Sequence, residues 1–70
     1  MKKVITEIRS DYTDDQNYTH IDVWFNDEED GQTIAIVDRD SKKVFWINNG
    51  LRWNQAVNEE ITLVLNEISE

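Results

Sequence analysis

The stretch NDEEDGQT, residues 26–33, comes closest in this chain to a metal-binding motif. Counted from its first residue, Glu28, Asp30 and Gly31 fall on the third, fifth and sixth positions of a calcium-binding loop. The twelfth position is Val37, where such a loop needs a bidentate glutamate, and the flanking residues have the period of strands instead of helices. We therefore expect an acidic hairpin turn in which Gly31 adopts a positive φ, with a weak, non-specific cation site as the alternative.

His20 is the only histidine, and Asp22 follows it two residues later. Residues at this spacing point to the same face of a strand, so the two side chains are candidates for a shared hydrogen bond or a shared metal ion. Zinc needs three or four ligands, and a hydrolytic triad needs a nucleophile on a strained turn. The chain has no cysteine, and its two glycines are too few for a phosphate-binding loop. We therefore predict a protein that is not an enzyme, with no catalytic residue, metal or cofactor.

The charge of the chain bears on its partners. Fifteen acidic and seven basic residues give a net charge of −8, which argues against direct nucleic-acid binding, because nucleic-acid binders neutralise phosphates with Lys and Arg. Seventy residues are expected to form a single domain, residues 1–70. No segment is long enough to cross a membrane, and the N-terminus is too polar for a secretion signal, so we expect a cytoplasmic protein without a membrane partner.

Four strands are predicted from the alternation of apolar and polar residues. In the first strand, Val4, Thr6 and Ile8 are expected to share one face. The Asn48–Gly50 segment is expected to end the fourth strand through positive φ angles. The predicted strands are Lys3–Ser10, Thr19–Asn26, Thr33–Val37 and Val44–Ile47, and the predicted connections Asp11–Asn17 and Asp38–Lys42 share one end of the sheet.

A helix is predicted from Asn54 onward, where the apolar period changes to that of an amphipathic helix. Asn54 is expected to be its N-cap, and residues 51–53 to be either a short fifth strand or a linker. Four strands with short connections, followed by one helix, predict an α+β fold. We expect a four-stranded antiparallel β-meander with one C-terminal amphipathic α-helix packed on one face, in the order ββββα.

Trp24 is predicted to lie on the face of the sheet opposite the helix. It alternates with Ile21, Val23 and Phe25, so it is expected to point away from the helix if those three residues point toward it. One helix covers only one face of the sheet. The opposite face then exposes aromatic side chains to solvent, unless residues 51–53 and the 11–17 loop fold over it. The predicted interaction surface consists of Trp24, Trp46, Phe45, His20 and Asp22.

These features predict a small acidic, non-catalytic interaction module. It would bind a protein partner, or a copy of itself as a homodimer, through the aromatic face around Trp24 or through the outer strand. The alternative is an acidic DNA mimic that inhibits a DNA-binding protein. A mimic needs a continuous negative potential, which the basic residues of this chain interrupt.

Overall fold

A computed structural model describes residues 3–69 and shows the predicted ββββα fold. Four antiparallel strands form one sheet in the order β1-β2-β3-β4, so each strand pairs with the next one along the chain. No helix within residues 3–69 is both long and apolar enough to cross a membrane. The strands are β1 (Ile5–Thr13), β2 (Tyr18–Phe25), β3 (Gln32–Asp38) and β4 (Lys43–Trp46), and a 3-10 helix (Asn49–Leu51) precedes α1 (Gln55–Ile68).

The core lies between α1 and one face of the sheet, called the inner face below. Alternate residues of β2 are buried, and they include Ile21, Val23 and Phe25, as their spacing predicts. The helix buries the residues at its three- and four-residue spacing. The core consists of Ile21, Val23, Phe25, Ile34, Ala35, Val37, Val57, Ile61 and Val64.

The start of α1 confirms the predicted N-cap. The side chain of Asn54 accepts a hydrogen bond of 3.1 Å from the backbone N–H of Val57. Residues 51–53 end the 3-10 helix and form a turn, so they are the predicted linker and not a fifth strand. The predicted positive φ at 48–50 is wrong. The reason is that the side chain of Asn48 accepts a hydrogen bond from Gly50 N–H at 3.0 Å and caps this short helix, so no left-handed residue is needed there.

The first strand is longer and less regular than predicted. Residues 11–13, predicted as a loop, belong to β1, and Tyr12 pairs with His20. Polar residues on an exposed edge strand are indistinguishable from a loop by composition, which explains the error. The predicted alternation of Val4, Thr6 and Ile8 is also wrong. A register shift around Thr6 brings both Ile5 and Ile8 opposite core residues of β2.

The two predicted connections do share one end of the sheet. Asn17 joins them, because its carbonyl accepts a hydrogen bond from Arg39 N–H at 3.1 Å and its side-chain amide donates to Asp40 at 3.0 Å. Arg39 then ties this end to the helix. Its guanidinium donates to the buried Thr19 hydroxyl at 2.9 Å and to the Glu67 carboxylate of α1 at 2.8 Å. The acidic turn between β2 and β3 lies at the opposite end.

Candidate interaction surface

The face of the sheet opposite α1, called the outer face below, carries side chains from all four strands. Its central row runs Tyr12, His20, Ile36 and Phe45 through successive cross-strand pairs. A second row joins Arg9, Asp22 and Thr33, and Glu7 lies opposite Trp24 beyond it. The described helices pack on the inner face, so the outer face has no second layer of secondary structure within residues 3–69.

Trp24 lies on the outer face, as predicted, and the chain itself covers part of its ring. A Cβ atom added to Gly31 would lie 2.3 Å from Cε2 of the indole, so the ring rests directly on the Gly31 backbone. On the ring face, the Arg9 guanidinium lies 4.9 Å from the centroid, and Arg9 also pairs with Glu7. Trp24 is therefore half-buried and held in place by its neighbours.

The positive φ predicted for Gly31 is wrong. No glycine in the described chain has a positive φ; the left-handed residues are Asn17 and Lys42, with φ of 66° and 64°. Glycine is needed at position 31 for a different reason, because only a residue without a side chain allows the indole of Trp24 to approach so closely. The glycine of the acidic stretch is thus a packing residue of the outer face.

His20 and Asp22 lie on the same face but do not share a hydrogen bond. His20 Nε2 lies 2.9 Å from Asp14 Oδ2, while Asp22 accepts a bond of 2.6 Å from the Thr33 hydroxyl. The His20 bond lowers the pKa of Asp14 despite opposition from partial burial, and backbone N–H groups at 16 and 18 add to this lowering. The His20–Asp14 bond thus ties β2 to the β1–β2 connection, and the Asp22–Thr33 bond ties β2 to β3.

The hydroxyls of Ser10 and Ser69 bond to other parts of the chain. Ser10 donates its hydroxyl to Glu60 of α1, and Ser69 donates to the carbonyl of Leu65 at 3.0 Å, so both hydroxyls are directed away from His20. Within residues 3–69, no group of three or more His, Asp or Glu side chains is placed to hold a metal ion. In the acidic turn, Glu28 pairs with Lys3.

The apolar part of the outer face lies at β4. Phe45 is 47% exposed and Ile47, two residues further, is 62% exposed. Ile36 lies opposite Phe45 and is half-buried. Trp46, predicted to belong to this surface, lies instead on the inner face, because it pairs with Ala35 and packs against the core. It follows Phe45 by one position on a regular strand, so the two rings must point to opposite faces.

Two residues of the outer face, Tyr12 and Ile47, are not part of the predicted interaction surface. Tyr12 is 54% exposed, and its ring centroid lies 4.9 Å from that of His20. No signal pointed to it, because the surrounding residues resembled a loop. Ile47 had a usable signal, since it is two positions from Phe45 and therefore shares its face.

Charge is unevenly distributed along the chain. All fifteen acidic residues lie outside residues 41–58, a segment that contains β4 and three basic residues, Lys42, Lys43 and Arg52. In the structure, the acids of the 27–30 turn lie at one end of the sheet, and those of segments 11–15 and 38–40 lie at the other. The acids of these connections are thus separated by the length of the sheet.

One concavity lies on the solvent side of α1. It is lined by Gln55, Asn58, Glu59, Thr62 and Leu63. All five residues belong to one helix, so this surface cannot enclose a ligand as a cleft between elements does. The outer face at β4 is the better candidate for function.

Comparison with protein families, curated proteins and solved structures finds no match to the chain. The fold and the surface define it as a small α+β protein with one open sheet face.

Proposed function

We propose that this chain is a non-catalytic protein-interaction module that binds a protein partner, or a copy of itself, with β4 and the adjoining part of the outer face. The proposal rests mainly on the exposure of Phe45 on the edge strand β4 and of Ile47 directly after it, where the outer face has no covering layer within residues 3–69. We also propose a cytoplasmic location, which suits a chain without cysteine.

The hydrophobic contribution of this surface is concentrated in a few side chains. Removing a fully exposed Phe or Ile side chain from water contributes about 1.5–3 kcal/mol. Phe45 and Ile47 are each about half exposed, so each retains roughly 1 kcal/mol for an interface. Aromatic residues at the centre of an interface dominate affinity more often than other types, which favours Phe45 as the anchor.

The β1–β2 half of the outer face is a weaker candidate. Trp24 already contacts Arg9 and Gly31, and Asp22 and His20 already have hydrogen-bond partners. A partner that bound there would gain little from these side chains unless it replaced the contacts that they already make. We therefore expect Trp24 to contribute less to binding than Phe45.

The chain offers a matched pair of variants to test this proposal. Ile47 and Leu63 are both 62% exposed; Ile47 directly follows β4, and Leu63 lies on the solvent side of α1. The experiment is affinity capture from a lysate of the native host with the wild type, Ile47→Glu and Leu63→Glu, followed by quantitative mass spectrometry. We expect a partner, or untagged copies of the chain, to be captured by the wild type and Leu63→Glu and lost with Ile47→Glu. Equal capture by all three proteins would contradict the proposed surface.

A further inference from the structure

The edge at β1 has several features that oppose pairing with another strand. Its register shifts twice against β2, between Ile5 and Glu7 and between Arg9 and Tyr12. Charged side chains at Glu7, Arg9 and Asp11 line the strand. Bulges and charges are the usual means by which proteins prevent edge-to-edge association.

The edge at β4 has the opposite character. Its register with β3 is regular over all four residues, from Asp38–Lys43 to Ala35–Trp46. Lys43 is its only charged residue. Apolar side chains are partly exposed on both faces of the strand, since α1 makes its main contacts with β1, β2 and β3. This edge is therefore suited to accept another strand.

The direction of the main-chain groups of β4 follows from its pairing with β3. Ile47 N–H donates to the carbonyl of Ile34 at 2.9 Å, so positions 47 and 45 direct their backbone groups toward β3. The alternate residues, Val44 and Trp46, direct their N–H and C=O groups to the open edge. Among residues 3–69, the turn, loop and cap hydrogen bonds do not reach these groups.

We infer that the partner at this edge is a second copy of the chain, and that two copies pair antiparallel through β4 to form one eight-stranded sheet. This inference rests on the proposed function. Only residues with outward groups exchange hydrogen bonds, and the register that uses both outward residues of β4 pairs Val44 of each copy with Trp46 of the other. The two-fold axis then passes between the two Phe45 residues, which form a non-hydrogen-bonded pair, the closer of the two pair types.

This register places no like charges opposite each other. Lys43 of one copy faces Ile47 of the other, so the lysine methylene groups lie along the isoleucine side chain. Each chain carries a charge of −8, and most approaches of two copies bring acids together. The segment 41–58 contains no acid, so pairing at β4 avoids this repulsion.

The contact is small, which sets the expected affinity. Five paired residues per copy, 43–47, bury less than the roughly 800 Å² per partner of a standard interface. We therefore expect a dimer that forms in the high micromolar range and is stabilised by the paired Phe45 rings.

Disulfide cross-linking tests the register directly. The chain has no cysteine, so Lys43→Cys and Ile47→Cys each carry a single thiol. In the proposed dimer these two positions face each other with Cα atoms about 4.5 Å apart, which suits a disulfide. Two copies of the same variant place their thiols about 13 Å apart, four residues along the strand, which is too far.

We expect the mixture of differently tagged Lys43→Cys and Ile47→Cys proteins to cross-link on the order of tenfold faster than either variant alone, because pairing raises the effective concentration of the opposed thiols. Leu63→Cys measures the rate of random collision. Cross-linking of either variant with itself at the mixed rate, or a mixed rate equal to that of Leu63→Cys, would overturn the proposed register.

A second measurement addresses the backbone. Val44→Pro removes an outward N–H that β3 does not use, and edge strands tolerate proline at such positions. Sedimentation should show concentration-dependent dimerisation of the wild type and a folded monomer for Val44→Pro. A Val44→Pro protein that dimerises like the wild type would contradict the inference, and if this variant fails to fold, the cross-linking result decides.

The outcomes also separate the dimer from the proposed function. If cross-linking gives no mixed product while a different protein is captured by the wild type and Leu63→Glu but not by Ile47→Glu, the dimer is wrong and the interaction module stands. If there is no mixed product and Ile47→Glu also captures the same proteins as the wild type, both proposals fail.

Discussion

The inner and outer faces of the sheet arise from the same alternation along β2, but they are stabilised differently. On the inner face, Ile21 and Val23 are fully buried against the hydrophobic side of α1. On the outer face, His20 and Asp22 are half-buried and bonded to polar side chains of neighbouring segments. The inner face therefore carries the stability of the fold, which leaves the outer face free for other uses.

The outer face is itself divided. Toward β1, Trp24 is held between Arg9 and the Gly31 backbone. Toward β4, Phe45 and Ile47 are exposed, and within residues 3–69 the Phe45 ring takes part in no cation–π or aromatic pair. On the same face, Trp24 thus packs against its own chain toward β1, whereas Phe45 at β4 is exposed to solvent.

The largest expected effect compares the two faces with the same substitution. Ile21→Ala leaves a cavity in the core and should destabilise the protein by about 2–5 kcal/mol. Ile36→Ala, on the next strand and the opposite face, removes a half-buried side chain and should cost roughly 1 kcal/mol. Urea unfolding followed by circular dichroism measures both values.

A domain of this size has a total stability of only about 4–10 kcal/mol, so Ile21→Ala has the potential to unfold it completely. Ile21→Val, which should cost about 0.5–1.5 kcal/mol, keeps the comparison measurable. Similar losses for Ile21→Ala and Ile36→Ala would mean that the outer face contributes as much as the core.

The second effect tests the packing of Trp24. Gly31→Ala places a Cβ atom within 2.3 Å of the indole, and overpacking of this kind costs about 1–3 kcal/mol. Gly50→Ala is the control, because its Cβ would approach only the Asn48 side-chain oxygen, at 3.0 Å. Unfolding curves and the tryptophan emission spectrum report the change.

A double-mutant cycle identifies the cause of that loss. In a Trp24→Leu background, the cost of Gly31→Ala should fall to a small fraction of its value, since the clashing ring is gone. An undiminished cost would show that Gly31 is required for its backbone and not for the close approach of Trp24.

Much of the fold was predictable because it depends on periodicity. The buried positions of β2, the N-cap at Asn54 and the meander order all follow from local patterns of residue type. The strand residues at 11–13 were not predictable, because their pairing depends on β2 and not on their own polarity.

The candidate surface was only partly predictable from the sequence. Alternation placed Trp24, His20 and Asp22 on one face, and the structure brings them there. Phe45 joins them through its pairing with Ile36. The sequence did not reveal that Trp46 packs on the inner face, because both faces of β4 are apolar and either parity is compatible with the pattern. The close contact between Gly31 and Trp24 joins residues on two strands, and no local pattern encodes such a distance.

A smaller effect is expected from the charged end of the outer face. The His20 bond, with the backbone N–H groups of Tyr18 and Gln16, holds the pKa of Asp14 below its ordinary value of 3.8. A lowered pKa in the folded state contributes stability above pH 3.8, and this contribution is lost as the pH falls through the folded pKa. Asp14→Asn keeps the oxygen that accepts from the backbone but removes the charge, so its difference from the wild type should shrink as the pH falls below 3.8.

The free energies of unfolding of Asp14→Asn and the wild type are compared at pH values between about 2 and 7, a range that spans the ordinary pKa values of carboxylates. Asp15→Asn, at the exposed neighbouring carboxylate, controls for the loss of one negative charge. A pH-independent difference for Asp14→Asn would mean that the hairpin is stabilised by the shape of the turn and not by the ionised carboxylate.

The smallest effect on stability is expected at the proposed interface. A loss of binding can be assigned to the interface only if the variant remains as stable as the wild type. Ile47→Glu replaces a side chain that is 62% exposed, and such surface substitutions usually change stability by within about 0.5 kcal/mol. Leu63→Glu, equally exposed on α1, should behave the same way in urea unfolding. If Ile47→Glu instead destabilised the isolated monomer by more than about 1 kcal/mol, β4 would belong to the stabilising part of the sheet, and a loss of binding would no longer locate the interface there.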